Sequence, residues 1–457
     1  MTLMPRLAPL ALSGALLLAA CTPPPRGPSP SNDEATNPHL ARVRTDTAAS
    51  ADSAAAWVKR GCQRQAAVQR ECVERALYGV LERSGVARAM AILDVLAERE
   101  PSVRGEAHGL AHGMGIAAYR SPETVAATFA ECPNTQISGC YHGVIQGYFL
   151  DAARRGDALT PQQMNGICAP HLGKAILWGQ CNHGLGHGLM ALLRNQVPPA
   201  LGRCDQLTDA GAREGCYGGV FMENIIAVTH PEHTAQAHAA VGQKPGEGAH
   251  GEHAGHEGMD HGAAAGGEHA GMDHGSMAGM AHGAPAGAWK PLDRDDLLYP
   301  CTVVGEKYRY QCYLIQTSAI LPAVSGDVAR TAEACSRAPE NMVRVCWASL
   351  GRDLTAYAGR DPRRTAELCA RAGEAAEPAC IRGAAVALVD VSSNPADGLA
   401  LCRLAPAAAR ALCYAGVAGT LLTNTPDPAR REAVCATFDA EFVDSCRQGA
   451  QLPRRAR

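Results

Sequence analysis

Residues 330–349 read RTAEACSRAPENMVRVCWAS, and the two cysteines in this stretch, Cys335 and Cys346, decide how the chain folds. The first closes a short amphipathic segment, RTAEAC, and the second opens a longer, more apolar one. Ten residues lie between them, and the same ten separate Cys301 from Cys312, Cys369 from Cys380, Cys402 from Cys413 and Cys435 from Cys446. These pairs recur every 33 or 34 residues. A fixed period of that size means a helical hairpin: helix A, a short loop, helix B, with a disulfide from the end of A to the start of B. Closing such a loop restricts the unfolded chain by about 2–3 kcal/mol, which offsets a small core. Upstream, Cys62 with Cys72, Cys132 with Cys140, Cys168 with Cys181 and Cys204 with Cys216 continue the series with looser spacing.

Cys62 and Cys132 stand 70 residues apart, two periods, so one repeat lacks its pair. Counting back 34 from Cys140 reaches Glu106 in EAHGLAHGMG, the same motif with glutamate in place of cysteine. About ten repeats are expected, enough for an all-α solenoid. Period and cysteine placement resemble the disulfide-bridged, tetratricopeptide-like repeat proteins that some bacteria secrete. The resemblance covers residues 54–450 and implies a fold, not a function, because such scaffolds serve many ends.

Aligned on the second cysteine, the units read CYHGVIQG at Cys140, CNHGLGHG at Cys181, CYGGVFME at Cys216, CIRGAAVA at Cys380 and CYAGVAGT at Cys413. Glycine inside a helix costs about 1 kcal/mol against alanine, so Gly143, Gly184, Gly219, Gly383 and Gly416 imply a backbone packed close to its neighbour.

Packing does not explain the histidines. Two residues after the reference position, four successive repeats carry His108, His142, His183 and Gly218; six after it they carry His112, Gln146, His187 and Met222. Positions four apart share one helix face, and stacked repeats bring equivalent faces together. The five histidines, Gln146, Met222 and either Glu106 or Glu223 are therefore expected in one patch able to hold copper, zinc or iron. A buried imidazole satisfied by a carbonyl is the structural alternative for any one of them. Neutral imidazole is the ligating form, so binding is expected to weaken as pH falls through about 6.5.

Residues 1–20 carry one charge, Arg6, and then an apolar run, the pattern of a secretion signal. LAAC at residues 18–21 resembles the lipobox of bacterial lipoproteins, which implies lipidation of Cys21, a membrane anchor through that lipid and, with Thr22 following, the outer membrane. Residues 21–53, rich in Pro, Ser and Asp, read as a tether. The other eighteen cysteines are an even number in an exported chain, so disulfides are the default. A net charge of -3 with scattered arginines gives no footprint for nucleic acid.

Between Cys204 and Cys301 the spacing exceeds one period by about 61. The excess, residues 230–294, divides the repeats into 54–229 and 295–450, and contains HGEHAGHEGMDHGAAAGGEHAGMDHGSMAGMAHG. Ten of the chain's seventeen histidines fall here. This composition cannot form a core and reads as disordered. The repeats are expected to fold without it, because the period resumes at Cys301. MDHG (residues 259–262 and 272–275) and HGSM resemble the His/Met-rich segments of periplasmic copper-resistance proteins. The ligands so implied are His253, His256, Met259, His261, His269, Met272, His274, Met277, Met280 and His282. Thioether with imidazole favours copper over zinc. No HExxH, CxxCH or GxSxG motif occurs. The leading expectation is extracytoplasmic copper handling. The alternatives are an interaction scaffold with a protein partner on the solenoid surface, and a metal-dependent oxidoreductase.

Overall fold

The computed structural model describes residues 37–63, 66–242 and 289–453. Helix is the only regular structure among them. After α1 (Pro38–Thr45), hairpins follow one another: α2 (Ala51–Gly61) with α3 (Ala66–Ser84), α4 (Val86–Arg99) with α5 (Pro101–Ala118), α6 (Val125–Glu131) with α7 (Gly139–Arg155), α8 (Pro161–Cys168) with α9 (Ala175–Leu192), and α10 (Val197–Cys204) with α11 (Ala210–Thr229). A short helix, α12 (Ala235–Gly242), precedes the undescribed stretch. Beyond it come α13 (Glu306–Tyr313) and α14 (Thr317–Ala323), then α15 (Val328–Ser336) with α16 (Glu340–Tyr357), α17 (Pro362–Ala370) with α18 (Glu377–Ser392), α19 (Pro395–Leu404) with α20 (Ala407–Asn424), and α21 (Pro428–Cys435) with α22 (Val443–Gly449). This is the expected α-solenoid of about ten hairpins.

The first helix of a unit is short and its start is written locally. Thr160, Asp361 and Asp427 each accept a first-turn backbone N–H, and each is followed by a proline whose fixed φ suits the first helical position. All nine sequential cysteine pairs form disulfides, from Cys62 with Cys72 to Cys435 with Cys446, with Cα atoms 5.4–5.7 Å apart. Every one of these cysteines is buried, so the staples are part of the core.

The second cysteine does not open its helix, as its place at the head of an apolar run suggests. Cys72 is the seventh residue of α3, and Cys181, Cys216 and Cys346 are seventh in α9, α11 and α16, whereas Cys140 is second in α7. In α16 no residue before Cys346 is buried. Met342, Val343 and Val345 pack against the core while staying partly exposed, so the helix begins at the edge of the core and full burial starts at the cysteine.

Glycines set how close the second helices approach. A Cβ on Gly143 would lie 2.0 Å from the carbonyl oxygen of His112, and one on Gly115 would lie 2.1 Å from that of Cys140. The pair Gly186 and Gly219 repeats this reciprocal contact between α9 and α11, and Gly351 and Gly383 repeat it between α16 and α18. Gly184 and Gly416 meet side chains first, Ile145 at 3.0 Å and Arg382 at 3.1 Å, with the nearest backbone atoms farther off at 3.5 and 3.4 Å. The backbones therefore touch at alternate helix interfaces, and side chains fill the others.

The stack curves tightly. Imidazoles of His112 on α5 and His187 on α9, two repeats apart, have centroids 5.0 Å apart, and Gln146 on α7 donates to Glu223 on α11 at 3.2 Å. The later repeats come back against the loop before α7, where Arg360 donates to Gln136 Oε1 and Ser393 Oγ to the Asn134 carbonyl.

Part of the expected insert is not insert. Residues 243–288, with every His and Met ligand expected of it, lie outside the described residues, as does Cys21. Residues 231–242 and 289–294 belong to the folded body. His238 Nδ1 meets the buried carboxylate of Glu74 at 2.6 Å, and His233 Nε2 meets Glu106 at 2.6 Å. Gly109 and Gly113 make room for these two rings. On the return side, Trp289 Nε1 donates to Asn224 Oδ1 at 3.0 Å and Asn224 Nδ2 to the Pro291 carbonyl at 2.9 Å.

Candidate metal centre

The reciprocal glycine contacts correct the register of the first histidine helix. Gly115 meets the Cys140 carbonyl as Gly186 meets that of Cys216, and Gly143 meets His112 as Gly219 meets His183. His112, not His108, therefore stands where His183 stands. Helix α5 sits four residues, about one turn, away from the position that cysteine spacing implies, with Leu110 rather than Glu106 in the place of the cysteine. Glu106 consequently lies outside the patch, on the side of α5 that faces His233.

The slip leaves the five histidines together. His108 Nε2 lies 3.2 Å from His112 Nε2, which lies 3.3 Å from His142 Nδ1. The rings of His142 and His183 are 4.7 Å apart, those of His183 and His187 5.0 Å, and those of His142 and His187 stack at 5.1 Å. Two three-histidine groups result, one of His108, His112 and His142 and one of His142, His183 and His187, each with one ring nitrogen per residue within 4.8 Å of the others. His142 belongs to both.

Outer partners decide which nitrogens are free. His108 Nδ1 is 2.8 Å from the Gln136 carbonyl, His112 Nδ1 2.8 Å from Gln146 Oε1, and His142 Nε2 2.8 Å from Gln180 Oε1. Each of these oxygens can only accept, so each imidazole must donate its single N–H outward. What faces inward at 3.2–3.3 Å is then three lone pairs with no proton between them. Donors about 2.0–2.1 Å from an ion at tetrahedral angles are about 3.3 Å from one another. His187 Nδ1 lies 2.7 Å from Glu223 Oε2, and the Nε2 atoms of His183 and His187 are buried without a partner. Buried polar atoms without partners are rare, and a cation held by either three-histidine group would satisfy the inward nitrogens of that group.

Burial fixes the protonation state. It holds His108 down to about 4 and His187 down to about 3, and the charges of the other rings add to burial in holding His112, His142 and His183 well below the usual histidine range. The rings stay neutral, the ligating form, far below the pH of 6.5 expected from unperturbed histidine. Burial also raises Glu223 to about 8.

Met222 packs, partly buried, against the apolar core. Successive helical residues point about 100° apart, and its neighbour Glu223 is the one that enters the cluster. Gln136 and Gln180 were not legible, since Gln136 acts through a backbone carbonyl in the loop before α7 and Gln180 lies in the second turn of α9, outside the positions at which the repeats were aligned. A further group, Glu106, Glu232 and His233, has ligand atoms within 4.8 Å at the root of the insert.

These features define a class: an all-helical, disulfide-stapled repeat protein with a buried polyhistidine cluster able to hold a metal ion. No family model, curated protein or solved structure matches the chain.

Proposed function

We propose that this protein binds copper outside the cytoplasm, anchored to a membrane through lipidated Cys21, holding the metal on His108, His112, His142, His183 and His187 and gathering it through the His/Met-rich residues 243–288. The observation that carries the reading is the set of inward-facing lone pairs at 3.2–3.3 Å, each fixed by an outward hydrogen bond. Without a cation they repel one another; with one they are ligands. Nine disulfides support an oxidising compartment. Copper is favoured over zinc by sequence chemistry, the methionines Met259, Met272, Met277 and Met280 beside imidazoles. Storage or transfer is favoured over hydrolysis, because the inward nitrogens are ligands and none is left as a general base.

The test is metal analysis of full-length protein purified without an affinity tag, alongside His142→Ala. Copper bound in at least stoichiometric amount by wild type and lost from the buried sites of the variant is expected. A wild-type protein that takes up neither copper nor zinc would leave the histidines structural.

A further inference from the structure

One member of the cluster is not sealed in. His108, at one end of it, lines a cavity of about 620 Å³ between the early repeats and the returning late ones. That volume suits a small molecule. The floor of the cavity is α5 with the loop before α7, and its far wall comes from α16, the start of α17 and α18.

Its charge is one-sided. Arg104, Arg352, Arg360 and Arg364 line it against only Asp353 and Asp390. Arg352 and Asp353 pair with each other at 2.6 Å, and burial raises Asp390 toward its neutral form, so Arg104, Arg360 and Arg364 are left over. Arg360 is half-buried, and its one side-chain hydrogen bond among the described residues is to the neutral Oε1 of Gln136 at 3.3 Å. Burial and the nearby charge of Arg104 both disfavour its guanidinium, with Asp94 the only opposing charge. Arg104 gives Nε and Nη2 to the carbonyls of Ala97 and Glu98, while its Nη1 lies toward Gly359, next to Arg360. Two guanidiniums held together at the wall of a cavity are costly unless an anion joins them.

The lip is strained. Gln136, Ile137 and Ser138 take φ values of 48°, 53° and 62°, three consecutive non-glycine residues in the left-handed region. Such backbone is expensive, most of all for a β-branched residue, and persists where the surroundings hold it. Here it points the Gln136 carbonyl at His108, and it leaves Ile137 exposed at the cavity mouth, where Tyr357 is exposed as well.

We propose that this cavity binds a small anion, a carboxylate or oxyanion, held by Arg360, Arg364 and the Nη1 of Arg104 beside His108. The anion meets the guanidiniums by charge-assisted hydrogen bonds and any apolar part rests on Ile137 and Tyr357. Its position next to His108 makes it a ligand or substrate of the metal centre; that last clause rests on the metal reading, whereas anion binding itself does not.

The experiment separates the two. Succinate and inorganic phosphate are titrated calorimetrically, at low salt, into metal-free full-length protein. Saturable binding is expected for at least one of them, weakened at least tenfold in Arg360→Gln/Arg364→Gln and unchanged in the exposed control Arg330→Gln, with circular dichroism showing all three folded. Arg364→Gln alone, an exposed position, serves if the double variant does not fold, with a loss of about threefold or more expected. No saturable binding by wild type, or equal affinity in the variants, overturns the proposal. In copper-loaded protein the bound anion should shift the Cu(II) electron-paramagnetic spectrum, and Arg360→Gln/Arg364→Gln should lose that shift while keeping its copper. A spectrum indifferent to saturating anion overturns the placement beside the metal. Failure of wild type to bind copper would sink the metal reading and leave the calorimetric result to stand by itself.

Discussion

His142 is the residue shared by both three-histidine groups, so substitutions along the cluster should not be equivalent. His108→Ala removes a ligand from one group and His183→Ala from the other, and each should reduce the buried metal content in part. His142→Ala should reduce it most, by tenfold or more in affinity, read as metal per protein after dialysis against a competing chelator. Retention of wild-type content in His142→Ala would show that the shared ring is not a ligand. The same residues make the metal-free protein acid-labile. Their folded-state values are depressed, to about 4 for His108 and about 3 for His187, so between roughly pH 6.5 and 4 the unfolded chain binds protons that the folded chain does not. Stability from this source is fully present above about 6.5 and is lost as pH falls, by up to about 1.4 kcal/mol per pH unit for each such histidine. The melting temperature of metal-free protein should therefore drop steeply below pH 6.5, and His112→Gln/His142→Gln should flatten that slope. A melting temperature constant from pH 7 to 5 would contradict the buried, neutral cluster.

At the scale of helices, the sequence carried the hairpins, their staples and the face on which the histidines lie, because each is a repeated local pattern. It did not carry the slip of α5. The glycine that meets the next helix is Gly115 there and Gly186 in α9; no cysteine marks α5, and counting residues cannot show which glycine makes the contact. It carried the patch nonetheless, since a shift of four residues keeps His108 and His112 on the same face. Reciprocal glycines also make a sharp prediction. Gly219→Ala puts a Cβ 2.0 Å from the His183 carbonyl, a backbone atom that cannot step aside, so α9 and α11 must separate. A loss of several kcal/mol is expected, read as a fall in melting temperature, together with weaker metal retention because His183 and Glu223 ride on those helices. Gly419, inside α20, meets nothing within 4 Å, and Gly419→Ala should be neutral or stabilising by up to about 1 kcal/mol. Equal effects of the two substitutions would mean that the close approach does not hold in solution.

At the scale of the whole molecule, the question is where the repeats end and the added segment begins. Spacing alone placed the boundary at residues 230 and 294, because the interval from Cys204 to Cys301 exceeds one period by about 61 residues. Long-range pairing moves it inward: Glu74 is fully buried, and burial alone would raise it, yet His238, Tyr78 and Arg70 together hold it below the usual carboxylate range. Removing one partner of such a buried network leaves an uncompensated charge, at a cost of about 3–5 kcal/mol. Two deletions therefore separate. Replacing residues 243–288 by a short glycine–serine linker should keep a cooperative melt near that of the full chain and keep the tight, buried metal while lowering total copper uptake. Removing residues 230–294 takes away His233, His238 and the Trp289–Asn224 contact, and should lower the melting temperature by 10 °C or more. Asn224 adjoins Glu223, which orients His187, so the larger deletion should also loosen metal retention at the cluster. If the two deletions melt alike, the root of the added segment is no part of the core. If the smaller one abolishes all copper binding, residues 243–288 are the metal site and the buried histidines are structural.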